Sequence, residues 1–271
     1  MKYRTDKVTI DHWSMSYLQF GHGQDVLVIL PGLSVQSPLM AAPAIVKQYE
    51  RFIEDYTVYV FDRRSEVPVV YSMQEMAQDT AKAIHKLKLS SVSLFGASQG
   101  GSIAMVIAAA HPELVRCLAV ASTTVCISEK RFSLFAEWIA LAQKQDREGL
   151  YRSFAQKLYP STLYEQLKDG FAAIAKTVTE DELERFMALA QSLKDFDIRN
   201  DSDNIQCPVL LVSDETDAVF DASAALEIVA CLRSHNGFEH VRFNGYGHAL
   251  YDTAPEFKEI LYRFLTKHRD R

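Results

Sequence analysis

Residues 96–101, with the sequence Gly-Ala-Ser-Gln-Gly-Gly, lie between a segment that predicts a strand and a segment that predicts a helix. The preceding residues 91–95 (SVSLF) are typical of a short buried strand, and the following residues 103–110 (IAMVIAAA) predict a helix. Gly-x-Ser-x-Gly between a strand and a helix is typical of a turn so sharp that the serine hydroxyl stands exposed at a strained backbone angle. Small residues at 96 and 100 let the two backbones pass close together. The sequence therefore predicts that Ser98 is a nucleophile.

A serine nucleophile needs a base, and a histidine that follows a strand supplies the candidate. Residues 241–243 (VRF) read as a strand, and His248 comes shortly after them, between small residues that allow a loop to bring its ring to the serine. In α/β proteins the reactive groups lie just past the carboxyl ends of strands. Imidazole has an unperturbed pKa near neutrality, so it can accept the serine proton. We predict that His248 is the base.

A carboxylate is expected to orient the imidazole and to stabilise its charged form. Residues 208–212 (PVLLV) predict a strand, and a loop with three carboxylates follows it. Asp217 is the favoured acid, and Asp214 and Glu215 in the same loop stay open as alternatives. The order serine, acid, histidine is characteristic of one fold family.

The chain resembles the α/β-hydrolase superfamily, in the branch of small enzymes with a helical cap. Beyond the serine motif, four segments carry the resemblance: residues 30–33 (LPGL), 61–65 (FDRRS), 111–115 (HPELV) and 247–257 (GHALYDTAPEF). The resemblance implies a mostly parallel twisted sheet covered by helices. It also implies that the backbone amides of Leu33 and Gln99 form the oxyanion hole. The chain departs from the family at Asp214, where relatives usually have glycine.

Strand and helix alternate along most of the chain, which predicts a parallel sheet covered on both faces. Residues 7–20 predict a hairpin, and residues 38–52, 72–87, 222–232 and 255–268 predict helices, the first of them with a break at Pro43. Residues 125–205 contain no convincing strand, and their apolar residues recur at helical spacing, which fits about four helices. We therefore expect a core formed by residues 1–124 and 206–271, with residues 125–205 inserted as a helical cap over the serine.

Composition excludes several classes of function. A net charge of −6 over 271 residues, without a run of basic residues, argues against nucleic-acid binding. No apolar stretch is long enough for a membrane span, and the N-terminus lacks the apolar segment of a signal peptide. Four cysteines without metal-binding spacing are expected to be reduced in a cytoplasmic protein. No metal or cofactor motif is found, so we expect no cofactor. The expected partner is a small-molecule substrate, and a homodimer stays open.

These residues predict a serine hydrolase that cleaves a small ester-like substrate through an acyl-enzyme. Carbon–carbon bond, lactone or thioester hydrolysis at the same site stays open, because the fold does not choose between them. A small-molecule binding protein with little turnover is the alternative from a different class. Arg63 and Arg64 are expected to be solvated or to brace a loop, with binding of an acidic substrate as the less favoured interpretation.

Overall fold

A computed structural model describes residues 2–269, so residues 1, 270 and 271 of the predicted core lie outside it. One eight-stranded sheet runs through the molecule in the order β1-β2-β4-β3-β5-β6-β7-β8. The strands are β1 (Tyr3–Ile10), β2 (Trp13–Phe20), β3 (Asp25–Leu30), β4 (Tyr56–Arg64), β5 (Val92–Ala97), β6 (Val115–Ala121), β7 (Val209–Asp214) and β8 (Phe238–Phe243).

Ten α-helices connect or follow these strands in the described part of the chain. They are α1 (Ala42–Gln48), α2 (Met73–Lys86), α3 (Gln99–Ala110), α4 (Glu129–Gln143), α5 (Arg147–Leu158), α6 (Ser161–Ala175), α7 (Glu180–Gln191), α8 (Ala222–Leu232), α9 (Leu250–Thr253) and α10 (Phe257–Lys267). Helix α2 begins at a capping box, in which Ser72 and Glu75 bond each other's backbone amides.

The sheet is mostly parallel, as predicted, but its first two strands are not. Strand β1 pairs antiparallel with β2, and β2 pairs antiparallel with β4, whereas β4, β3, β5, β6, β7 and β8 are mutually parallel. A tight turn near Asp11 joins β1, the edge strand, to β2. Because no crossover helix lies between β1 and β2, these two strands can pair only antiparallel.

Two further predictions need correction. Residues 38–52 are interrupted, as expected, but by more than the one break at Pro43: two short 3-10 turns, Pro38–Ala41 and Glu50–Phe52, flank α1. Pro43 stands in the first turn of α1, the position at which proline is tolerated, so the regular α-helix starts there. The last predicted helix begins later than residue 255 and is preceded by the separate short helix α9.

Apolar residues cover both faces of the sheet. Alternate residues of β3 and β5 point into different clusters: Val28 and Leu94 face α2, α3 and α8, and Ile29 and Phe95 face α1 and α10. Helices α4 to α7 lie between β6 and β7 in the chain, and their buried residues join the first of these clusters. All four cysteines are free. Within residues 2–269, no helix has the combined length and apolar character that a bilayer crossing requires.

Candidate active site

Ser98 lies at the junction of β5 and α3 with φ 54° and ψ −126°, a strained combination for a residue with a side chain. Neighbouring groups hold it there: its N–H donates to the carbonyl of Ala121 (2.9 Å), and Thr123 Oγ1 donates to its carbonyl (2.7 Å). A methyl group added to Gly96 would overlap the carbonyl of Gly100. The close approach predicted for these two glycines is therefore present.

His248 follows β8, and its ring reaches the serine. Its Nε2 lies 2.9 Å from Ser98 Oγ, and both side chains are buried. Gly247 has φ 68°, a conformation that side chains disfavour, and lies against the carbonyl of Leu158 at the end of α5. The same carbonyl accepts the N–H of Ala249 at 3.0 Å. The helical insertion thus helps to fix the loop that carries the histidine.

Asp217, in the loop after β7, contacts the other side of the ring. Its Oδ2 lies 2.8 Å from His248 Nδ1, and its Oδ1 accepts the N–H groups of Val219 (2.8 Å) and Phe220 (2.9 Å). The two amides hold the carboxylate in place, and the ring of Phe220 packs edge-on against the imidazole. A continuous chain of hydrogen bonds therefore joins Asp217, His248 and Ser98.

The two alternative acids lie in the same loop without contacting the imidazole. Glu215 is exposed, whereas Asp214 is buried at the end of β7. The Asp214 carboxylate accepts the N–H groups of Thr216 (2.8 Å) and Tyr246 (3.0 Å), which lie in the acid loop and the histidine loop. Burial alone would raise the pKa of Asp214, but these hydrogen bonds outweigh it and hold the pKa below its ordinary value. The carboxylate that replaces the usual glycine thus ties the two loops together.

Two unpaired backbone amides lie beside the serine. Gln99 is the first residue of α3, so its N–H has no partner within the helix, and Leu33 lies in the loop after β3. Neither amide donates to a protein acceptor anywhere in residues 2–269. A methyl group on Gly32 would lie 2.9 Å from Ser98 Cβ, which shows how closely the Leu33 loop passes the serine. Both predicted oxyanion donors are therefore near the nucleophile.

The arginines predicted to brace a loop do make bracing contacts. Arg63 is buried, and its guanidinium donates to the carbonyl of Pro31 in the Leu33 loop at 2.8 Å. Burial lowers the pKa of Arg63 to about 10. Arg64 pairs with Asp79 at 3.2 Å. The neighbouring Asp62 accepts from Arg185 of α7 at 2.7 Å, which connects β4 to the helical insertion.

Two adjoining cavities lie next to the serine. The smaller, of about 20 Å³, contacts Ser98 and His248 and is walled largely by aromatic side chains of the insertion, Trp138 among them. The larger, of about 350 Å³, extends along the Leu33 loop. They share four lining residues: Leu33, Phe154, Leu158 and Tyr251. No motif in the sequence points to the last three, because their position depends on how the insertion packs over the sheet.

One surface group has the composition of a metal site but lies elsewhere. His85, His111 and Glu113 bring their ligand atoms within 4.8 Å of one another. His111 follows the C-terminal end of α3, whereas Ser98 precedes the N-terminal end of the same helix. The helix separates the group from the hydrogen-bonded serine, so it is not part of that site.

Comparison with known families agrees with this geometry. A family profile described as alpha/beta hydrolase fold matches residues 25–255, which is most of the chain. The chain therefore belongs to the α/β-hydrolase family, and it is a hydrolase rather than the binding protein that the sequence left open.

Named relatives and solved structures extend the match over nearly the whole chain. A serine hydrolase of Mus musculus called BPHL is 24% identical and aligns with 96% of this chain and 85% of its own length. A 3-oxoadipate enol-lactonase 2 of Acinetobacter baylyi is 22% identical over 79% of this chain and 80% of the relative. The α/β hydrolase MGS-M2 from a Medee basin deep-sea metagenome superposes with a TM-score of 0.85 at 21% identity, covering 96% of this chain and 97% of that one.

Proposed function

We propose that this hydrolase cleaves a small ester-like substrate with Ser98 as nucleophile, His248 as general base and acid, and Asp217 as the orienting acid. The observation that carries the proposal is the continuous hydrogen-bond chain from Ser98 Oγ to His248 Nε2 (2.9 Å) and from His248 Nδ1 to Asp217 (2.8 Å). Ser98 lies at a strained strand-to-helix turn. A buried serine–histidine pair in that position is typical of nucleophilic catalysis.

The first half of the reaction forms an acyl-enzyme. Ser98 Oγ attacks the substrate carbonyl carbon as its proton passes to His248 Nε2, and the carbonyl oxygen becomes an oxyanion. The N–H groups of Leu33 and Gln99 donate to that oxyanion, and the N-terminus of α3 adds a favourable dipole. His248 then gives its proton to the departing alkoxide, the carbon–oxygen bond breaks and the alcohol leaves.

The second half repeats the sequence with water. His248 takes a proton from water as the water oxygen attacks the acyl carbon. The second oxyanion accepts hydrogen bonds from the same N–H groups, those of Leu33 and Gln99. Collapse breaks the bond to Ser98 Oγ, which recovers its proton from His248, and the acid product departs. Asp217 keeps one tautomer of the imidazole in place and stabilises its protonated form throughout.

In this proposal residues 125–205 are the cap that shapes the substrate site. The walls of the small cavity support this role, since Phe135, Trp138, Phe154 and Leu158 all belong to α4 and α5. A cavity of about 20 Å³ beside Ser98 leaves room for only a small substituent, and the adjoining space of about 350 Å³ accepts the rest of the substrate. Hydrolysis of a lactone is the second candidate, because an enol-lactonase is among the relatives of the chain.

A fluorophosphonate probe tests the assignment without knowledge of the natural substrate. Phosphonylation needs an activated serine and an oxyanion hole, so we expect one adduct, on Ser98, found by intact mass and peptide mapping. The adduct should be absent in Ser98→Ala and much slower to form in His248→Ala. Ser133→Ala is the control, since Ser133 is an exposed serine of α4 whose hydroxyl donates to the carbonyl of Lys130, and it should label normally. Folded protein without an adduct on Ser98 would refute the proposal.

A further inference from the structure

The larger cavity is lined mostly by apolar and aromatic residues, with a few polar ones, and its charge is unbalanced. Among the described residues, Asp252 is the only charged one in its lining, and neither lysine nor arginine lines it. Seven aromatic side chains do, four of them tyrosines. Tyr251, next to Asp252, also lines the small cavity at Ser98, so this part of the wall lies close to the reacting group.

The Asp252 carboxylate has no direct partner within the described residues. It neither accepts a hydrogen bond there nor lies within 4.0 Å of a cationic group. The Asp252 side chain is exposed by its accessible surface, and it lines the cavity. Desolvation by the protein around it raises the pKa of this carboxyl, and the charge of Lys258 opposes that shift.

Lys258 is the nearby cation, but its ammonium group is directed elsewhere. Its Nζ donates to the carbonyl of Tyr251 and lies 4.4 Å from the centre of the Tyr49 ring. Burial lowers the pKa of Lys258 to about 8. This lysine therefore compensates the carboxylate only at a distance, and the side of Asp252 that meets the cavity is left for another group.

The surrounding rings also favour a cation. Burial raises the pKa of Tyr159 to about 12, with a further contribution from Asp252, so this phenol stays neutral. Burial and the Asp252 carboxylate also raise the pKa of Tyr49 and the pKa of Tyr251. Neutral aromatic rings attract cations through the negative potential of their faces, and the attraction is strongest where water is excluded.

We propose that the larger cavity binds a positively charged, ammonium-bearing part of the substrate, with Asp252 as its counterion and the tyrosine and phenylalanine rings around it. The inference rests on the proposed function, since it assigns the substrate class of the same site. An anionic group would be repelled by Asp252. An uncharged chain of the same shape would fill the cavity but leave the carboxylate desolvated and without a partner, so it should bind more weakly.

Two pairs of esters test the charge, one for each side of the scissile bond. The first pair is the acetate of 2-(trimethylammonio)ethanol and its uncharged isostere, 3,3-dimethylbutyl acetate. The second pair is the nitrophenyl ester of 4-(trimethylammonio)butanoate and that of 5,5-dimethylhexanoate. We expect kcat/KM for the charged member of at least one pair to exceed that of its isostere by about tenfold or more.

Asp252→Asn keeps the shape of the side chain and removes its charge, so this ratio should fall by about tenfold. Asp203→Asn is the matched control, because Asp203 is an exposed carboxylate that does not line the cavity, and it should leave the ratio unchanged. A ratio near one or below for both pairs in the unmodified protein, or a high ratio that survives Asp252→Asn, would overturn the inference.

A binding measurement separates failure of this inference from failure of the proposed function. Ser98→Ala protein is titrated by calorimetry with (4-hydroxybutyl)trimethylammonium and with its uncharged isostere, 5,5-dimethylhexan-1-ol. Tighter binding of the cation, lost in the Ser98→Ala, Asp252→Asn double variant, supports the cation site even if turnover is absent. Normal fluorophosphonate labelling of Ser98 without a preference for the cation would leave the hydrolase proposal standing and refute this one.

Discussion

At the scale of single residues, Asp214 and Asp217 lie three positions apart but have different contacts. Asp217 contacts the imidazole, whereas Asp214 accepts backbone N–H groups from two loops. The difference arises because Asp214 is the last residue of β7, and its side chain lies under the loop that carries His248. Its carboxylate would be an acceptable acid by residue type, and only its position excludes it.

Asp217→Asn should therefore lower kcat far more than Asp214→Asn. Asparagine at 217 can no longer stabilise the imidazolium and favours the wrong tautomer, a change that costs about 10⁴-fold in a comparable serine protease. Steady-state turnover of a short nitrophenyl ester measures both variants, and Glu215→Gln is the control because Glu215 is exposed. If Asp214→Asn were the most damaging of the three, the assignment of the acid would be wrong.

Asp214→Asn should instead destabilise the fold, by about 1–3 kcal/mol, since an amide presents its own donors to the N–H groups around it. Because the pKa of Asp214 is depressed in the folded protein, its stabilising effect is present above the ordinary pKa of about 4 and is lost as the pH falls through the folded-state value. Denaturant unfolding at pH 7 and at pH 3 to 4 measures this. An equal difference from the unmodified protein at both pH values would contradict it.

At the scale of elements, the position of α3 depends on how closely its first turn approaches the sheet. A methyl group on Gly100 would overlap the carbonyl oxygen of Leu30 at the end of β3, whereas one on Gly170, within α6, would meet nothing within 4 Å. The same substitution should therefore have opposite effects at the two sites. A methyl group at position 100 forces β3 and α3 apart, whereas one at position 170 only raises the helix propensity of α6.

Gly100→Ala should lose several kcal/mol of unfolding free energy and most of its activity, because the first turn of α3 carries the Gln99 amide and directly follows Ser98. Gly170→Ala should gain up to about 1 kcal/mol with unchanged turnover. Urea denaturation followed by circular dichroism, together with an ester assay, measures both effects. A Gly100→Ala protein with normal stability and turnover would contradict the packing described for this helix.

At the scale of the whole molecule, the helical insertion shares its core with the sheet. Buried residues of α4 and α7 belong to the same apolar cluster as those of β5 and α3, for example Trp138 and Phe186 with Leu94 and Ile103. Polar contacts add to this, since the Gln99 side chain donates to the carbonyl of Leu189 in α7 at 2.7 Å. Little of the insertion can separate without exposing the sheet.

We therefore expect both parts to unfold in one transition. The chain contains two tryptophans, Trp13 in β2 and Trp138 in α4, so the single-tryptophan variants Trp138→Phe and Trp13→Phe report on each part separately. Within each variant, the fluorescence of the remaining tryptophan and the far-ultraviolet circular dichroism should give the same urea midpoint. A fluorescence midpoint for Trp138 well below that of circular dichroism would show that the insertion opens first.

The apolar runs of the sequence predict the order of strands and helices along the chain. Ser98 and His248, with Asp217 as the favoured acid, could be predicted because each follows a strand with a recognisable apolar run, and the carboxyl ends of parallel strands share one edge. The strain at Ser98 was likewise predictable from the glycines around it.

The contact between Asp217 and the imidazole, and the surroundings of the substrate site, follow only from the folded structure. Three carboxylates lie at the end of β7 and in the loop after it, and no local pattern says which one turns towards His248. The antiparallel pairing of β2 with β4, the small aromatic cavity and the position of Asp252 depend on contacts between segments far apart in the chain, such as Leu158 with Ala249. Long-range packing leaves no periodicity in sequence, because each contact joins residues that belong to different elements.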